Sequence, residues 1–135
     1  MKFIFKYRRE ETRRGVIYRP VVKVSLKSVD GHWYMFTAYV DSGADVSMLP
    51  KGDAELLGVN IYEGELWRLT GIGRIIIPAY LHEVKIRIGT LEFPARIAFA
   101  DLNEVPRLVG RLDIFRKFKV TFDEQNLQTI FQTYS

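Results

Sequence analysis

The sequence has no cysteine among its 135 residues. No disulfide framework and no thiolate metal site can be built from it, and the composition suits a reducing, cytoplasmic setting. Histidine is nearly as scarce. His32 and His82 lie far apart in the chain, and neither has a carboxylate at metal-ligand spacing, so no metal site is expected. Nucleotide motifs are missing too. Gly71-Ile72-Gly73 starts like a dinucleotide fingerprint, but Ile76 stands where a third glycine belongs and no helix follows. There is no P-loop and no nucleophile elbow around Ser42 or Ser47. No cofactor is expected. Long apolar runs are also absent. The longest, Ile75 to Leu81, contains Pro78 and is too short to span a bilayer. Lys6, Arg8 and Arg9 end the apolar start of the chain before it could act as a signal peptide. No membrane partner is expected.

What is present is ordinary globular material: 47% apolar and 27% charged residues. The length fits one domain with a real core. It leaves no room for two homologous catalytic domains in one chain. The net charge of +4 is uneven. Residues 1 to 19 hold seven bases against Glu10 and Glu11, whereas the other 116 residues hold 13 bases and 14 acids. Clustered bases are what phosphate binding needs, but no nucleic-acid motif accompanies them. A solvated strand pair is the expected reading of this arm, and nucleic acid is not an expected partner.

Most of the chain reads as short strands. Phe3, Phe5 and Tyr7 alternate with Lys2, Ile4, Lys6 and Arg8, and Val22, Val24 and Leu26 alternate with Lys23, Ser25 and Lys27 within the run Val16 to Leu26. Val29-Asp30-Gly31 predicts a hairpin turn into a strand from Trp33 to Val40. Lys51 to Leu57 suits a short helix between Pro50 and Gly58. Glu65 to Thr70 and Arg74 to Leu81 form a second hairpin around Gly71-Ile72-Gly73. Val84 to Ile88 and Leu91 to Phe99 form a third around Gly89-Thr90. The spacing of Leu112, Phe115 and Phe118 predicts a second short helix. Lys119 to Phe122 and Leu127 to Phe131 make a final hairpin. Many short strands with two short helices predict an all-β fold, a small closed barrel or sandwich.

One segment stands out chemically. The apolar strand ending at Tyr39-Val40 runs directly into Asp41-Ser42-Gly43-Ala44-Asp45. A carboxylate at the end of a buried strand costs desolvation energy unless hydrogen bonds satisfy it. Gly43 allows a sharp turn that brings N–H groups to it. An Asx-type turn is the structural alternative.

Val40 to Asp45 resembles the active-site signature of the retropepsin-like aspartyl proteases, the group of retroviral proteases and their cellular relatives. Three further segments agree in order and spacing. Met48-Leu49-Pro50 with Ala54, Leu57 and Gly58 is similar to the strand and helix after the signature. Leu69-Thr70-Gly71-Ile72-Gly73 is similar to the tip of the flap hairpin. Leu108-Val109-Gly110-Arg111 is similar to the second family element, a pair of apolar residues and a glycine. The resemblance covers about residues 20 to 123. It implies a closed acid-protease barrel over residues 16–135, preceded by a basic arm at 1–15. It also implies an aspartic endopeptidase acting on peptides or unfolded protein. In such an enzyme two carboxylates share one proton across a water molecule. This chain has one Asp-Ser-Gly, and none of Asp30, Asp53, Asp101, Asp113 or Asp123 sits in a second such loop. The resemblance therefore implies a homodimer with two Asp41 residues at its axis. It makes Asp41 catalytic and Ser42, Gly43 and Ala44 the active-site loop. Thr70, Gly71, Ile72 and Gly73 become the flap, and Leu108, Val109 and Gly110 the supporting element. It also implies an Asp45–Arg111 ion pair. Arg74 departs from the small residue common near a flap tip. Two other classes stay open: a catalytically silent dimerisation or peptide-binding module, and a basic nucleic-acid accessory domain.

Overall fold

The computed structural model describes residues 1–134; Ser135 and the side chain of Ile72 lie outside the described part. The chain opens with β1 (Lys2–Lys6), β2 (Arg8–Thr12) and β3 (Gly15–Arg19). Pro20 then breaks the long β-prone run, because proline has no N–H to give to a ladder, and β4 (Val21–Lys27) begins after it. β5 (Trp33–Val40) returns antiparallel to β4, pairing Val21 with Tyr39 and Lys27 with Trp33. β6 (Ser47–Leu49) leads into α1 (Lys51–Leu57), which ends at Gly58 with φ 73°. β7 (Glu65–Thr70) pairs with β8 (Ile76–Ile88), and β8 with β9 (Leu91–Ala100). β10 (Leu108–Val109), β11 (Phe118–Asp123) and β12 (Gln128–Thr133) complete the chain.

Six strands close on themselves in the order β4-β5-β10-β6-β9-β8, with β8 pairing back to β4 at Val24–Ile88. Closure removes the exposed edges that an open sheet would leave. The barrel is filled by alternate residues of each strand, among them Val22, Val24, Leu26, Ile86, Ile88 and Phe99, all buried. Ala54 and Leu57 of α1 join the same core. A smaller cluster of Val46, Ala79, Leu81 and Ala98 packs with Trp67, Leu69 and Leu112 at the base of the β7–β8 hairpin. No helix among the described residues is long and apolar enough to cross a membrane.

Outside the barrel lie two further sheets. β1, β12 and β11 form a three-stranded sheet, so both ends of the chain pair within one molecule. Phe3, Phe93, Phe118 and Phe131 fasten it to the barrel through edge-on ring contacts between 5.4 and 6.4 Å. β2 and β3 form an isolated hairpin over residues 8 to 19. The basic N-terminal segment is therefore divided between two environments, a terminal strand and a projecting ribbon.

Two expectations about local structure change. β8 is one strand of 13 residues that runs through His82 and Glu83 without a break. Residues 112–118 do not form a helix. Residues 112–117 form consecutive turns and Phe118 already belongs to β11, because Asp113 takes φ 64°, a left-handed conformation that a regular helix cannot contain. Asp113 is held there by Arg96, whose N–H and guanidinium donate to its carboxylate at 2.8–2.9 Å.

Candidate active site

β5 delivers Asp41 to the surface directly from the core. Val40 is 5% exposed, and the carboxylate that follows is half-buried. The Asp41 N–H donates to the Val109 carbonyl at 2.9 Å, and the Ala44 N–H donates to the Asp41 carbonyl at 3.2 Å. The Gly43 N–H turns back to the Asp41 carboxylate, donating to Oδ1 at 2.9 Å. The loop 41–45 is thus a tight turn whose own backbone satisfies one carboxylate oxygen. Ser42 and Gly43 are exposed beside it.

The loop is braced from behind by the segment after β10. β10 runs parallel to β5, with Leu108 opposite Tyr39 and Val109 opposite Val40, and Leu108 also pairs with Met48 of β6. The Arg111 and Leu112 N–H groups then donate to the Ala44 and Asp45 carbonyls, each at 2.9 Å. Gly110 sits between these contacts. A Cβ there would lie 2.6 Å from the Val46 carbonyl oxygen and 2.8 Å from that of Ala44, both backbone atoms. Only glycine lets the two segments approach this closely. The Gly110 N–H is satisfied by the hydroxyl of buried Ser47 at 2.9 Å. Ser47 escaped the sequence reading, where it counted only as a failed nucleophile.

The expected Asp45–Arg111 ion pair is not formed among the described residues. The two positions are joined through the main chain instead, and their side chains line an open cavity with Arg96, Asp113 and Arg116. Arg96 spends its charge on Asp113. The ion pair that does clamp this end of the barrel is Asp53–Arg107, bidentate at 2.7 and 3.0 Å with Asp53 5% exposed. It ties α1 to the segment that leads into β10, and the Arg107 carbonyl there also accepts the Tyr39 N–H at 2.9 Å. No local signal links residues 53 and 107.

The β7–β8 hairpin ends in a tight tip. The Gly71 N–H donates to the Ile75 carbonyl at 2.8 Å, and Gly73 and Arg74 take φ 80° and 62°. Thr70 and Gly71 are exposed, as are Leu66, Ile75 and Ile76. Such apolar exposure suits a surface that meets another chain.

A cavity of about 460 Å3 opens at Asp41 itself. Its apolar lining is Pro20, Val40, Pro106 and Leu108, and its polar lining is Tyr39, Glu10 and Arg19 beside Asp41. Glu10 and Arg19 belong to the projecting β2–β3 hairpin. Tyr39 donates its hydroxyl to Glu10 at 2.6 Å, and this bond holds the Glu10 carboxyl below the usual carboxylate range. The same bond raises the Tyr39 hydroxyl above its usual value. Tyr39 is not among the expected site residues, although its place two positions before Asp41 on an alternating strand is a signal that could have found it. Glu10 and Arg19 carry no such signal.

No family model and no curated protein matches the sequence. Solved structures do match. A retropepsin-like aspartic protease from Rickettsia conorii superposes with a TM-score of 0.60 and 20% identity, over 97% of this chain and 90% of that one. The EIAV protease in complex with the inhibitor HBY-793 superposes with a TM-score of 0.54 and 23% identity, over 73% of this chain and 86% of that one. The chain has the retropepsin-like fold. The match to the Rickettsia protein includes nearly the whole chain, so the retropepsin-like body and the extra N-terminal strands are compared together.

Proposed function

We propose that two copies of this chain form an aspartic endopeptidase. The observation that carries the reading is Asp41 itself. It is a half-buried carboxylate at the end of a core strand, on a loop braced by main-chain bonds, and it occurs once per chain. One carboxylate cannot both take a proton from water and give one to a carbonyl oxygen in the same step. Two Asp41 residues facing each other across a twofold axis can, because two close carboxylates hold a single proton between them. The ionised member takes a proton from the bound water, and the resulting oxygen attacks the scissile carbonyl carbon. The protonated member gives its proton to the carbonyl oxygen. The first carboxyl then passes the proton it took from water to the scissile nitrogen, the second carboxylate takes back a proton from a diol hydroxyl, and the C–N bond breaks to release a carboxylic acid and an amine.

In this reading Ser42 bonds across the axis and keeps the two loops in register. The Gly43 backbone faces the peptide, and Leu108, Val109 and Gly110 hold the loop from behind. The β7–β8 hairpin, tipped by Thr70, Gly71, Ile72 and Gly73, is the flap that closes over an extended peptide or unfolded protein. Exposed Leu66, Ile75 and Ile76 support that role. The test is cleavage of denatured protein and peptide mixtures between pH 3 and 7 by the wild-type chain and by Asp41→Asn. The wild type is expected to cut, and the variant to lose activity while keeping its oligomeric state. A dimer with no cleavage at any pH would favour a silent peptide-binding module instead.

A further inference from the structure

We propose that α1 works as a strap on the substrate-facing wall of the Asp41 cleft, with Asp53 as its positioning residue. The inference rests on the proteolytic reading and adds to it what sets peptide affinity. Pro106 and Leu108 line the cavity at Asp41. They follow β9 on a segment whose residues 101–107 form neither helix nor strand. A wall built on such a segment keeps its shape only if the groups around it are held from outside. α1 does the holding. Pro50, the residue before it, makes no side-chain cap bond, and the first N–H groups of a helix have no acceptor within it. The segment supplies acceptors instead. The Lys51 N–H donates to the Leu102 carbonyl at 3.0 Å, and the Gly52 N–H donates to Asn103 Oδ1 at 2.8 Å. A Cβ at Gly52 would lie 3.2 Å from that oxygen, so the approach is close. Asp53 then takes the Arg107 guanidinium through two bonds. Each of the first three residues of α1 therefore grips residues 101–107. The Asp53 grip is the strongest, because its carboxylate is buried and both bonds are charge-assisted. Arg107 stands between Pro106 and Leu108, and its guanidinium packs 5.1 Å from the centre of the Phe36 ring. Its carbonyl takes the N–H of Tyr39, a third residue of the cavity. Holding Arg107 on α1 therefore holds both of its neighbours at the cleft.

Asp53 acts through Arg107 and touches no reacting atom, so its removal should weaken peptide binding and spare the chemical step. A loss of global stability alone would not split KM from kcat in this way. The experiment uses the full chain and one peptide that the wild type cuts, at a temperature where every variant is folded by circular dichroism. Asp53→Asn is expected to raise KM roughly tenfold, the range of one charge-assisted contact, with kcat within about twofold of wild type. Asn103→Ala removes the acceptor of the Gly52 N–H from an exposed position and should raise KM about threefold. Asn103→Asp keeps an acceptor there and should stay close to wild type. In the Asp41→Asn background, Kd for the same peptide should move by the same factors without any cleavage. An unchanged KM and Kd in the folded variants would overturn the proposal. So would a fall in kcat at constant KM, which would place the strap in the chemical step. If Asp53→Asn does not fold, the two Asn103 variants decide alone, and an unchanged KM in Asn103→Ala overturns the strap. A wild type that binds the peptide mixture but cuts none of it, with the variants in the same order of Kd, would support the strap and count against the proteolytic reading alone.

Discussion

The Asp41 loop and the β2–β3 hairpin border the same cavity and are held in opposite ways. The loop is fixed by main-chain bonds to residues 109–112 and by a buried serine hydroxyl. None of these bonds titrates, and the one between Ser47 and Gly110 is buried, where water competes poorly. The hairpin has no core of its own, and a two-stranded ribbon is marginal in water. It is held through ionisable side chains: Glu10 against Arg8, Arg19 and Tyr39. Catalytic geometry needs placement within fractions of an ångström, and the untitratable frame suits it. A ribbon outside the barrel tolerates looser, charge-dependent attachment.

The sharpest way to break this contrast is Gly110→Ala. The new Cβ would meet two backbone carbonyl oxygens that cannot swing aside, so a loss of roughly 3 kcal/mol or more is expected. Denaturant unfolding measures it, and peptidase activity should vanish with the loop geometry. Ser47→Ala comes next. It leaves the buried Gly110 N–H without its acceptor, at a cost of about 1–3 kcal/mol, again read by unfolding. Glu10→Gln is expected to leave global unfolding unchanged. It should instead speed tryptic cleavage after Arg13 and Arg14 several-fold as the hairpin loosens, and added salt should do the same to wild type.

Acid sharpens the comparison further. The folded Glu10 carboxyl lies below its unfolded value because Tyr39 donates to it. Its contribution is therefore complete above the ordinary glutamate value, about 4.3, and fades as pH falls through the lower folded value. Hydrogen exchange, corrected for its intrinsic pH dependence, should show residues 8–19 opening below that range while β4, β5 and β8 stay protected. Equal loss of protection in both regions would contradict the contrast.

The barrel was legible because its signals are local. Strand alternation, the Val29-Asp30-Gly31 turn and the Gly58 helix end all act within a few residues. Asp41 was legible because a carboxylate that interrupts an apolar strand is locally anomalous. What was not legible depends on distant partners. Arg96, 17 positions before Asp113, holds that residue in a left-handed conformation, so an apolar spacing that suits a helix becomes a series of turns. Arg107 reaches Asp53 across 54 positions, and the ion pair expected at Asp45–Arg111 is replaced by main-chain bonds. The place of Glu10 beside Asp41 follows from Pro20, which ends one ladder and sends the preceding strand back as a separate ribbon.

The central claim is that one chain holds half of an active site, and subunit mixing tests it most directly. Wild type and Asp41→Asn are combined in equal amounts, allowed to exchange subunits, and assayed against wild type alone at the same wild-type concentration plus an equal amount of buffer. If both Asp41 carboxylates are needed, random pairing puts only about half of the wild-type chains in fully wild-type dimers, and activity should fall to about one half. Activity that stays at the wild-type level would mean that each chain works alone, and would contradict the account.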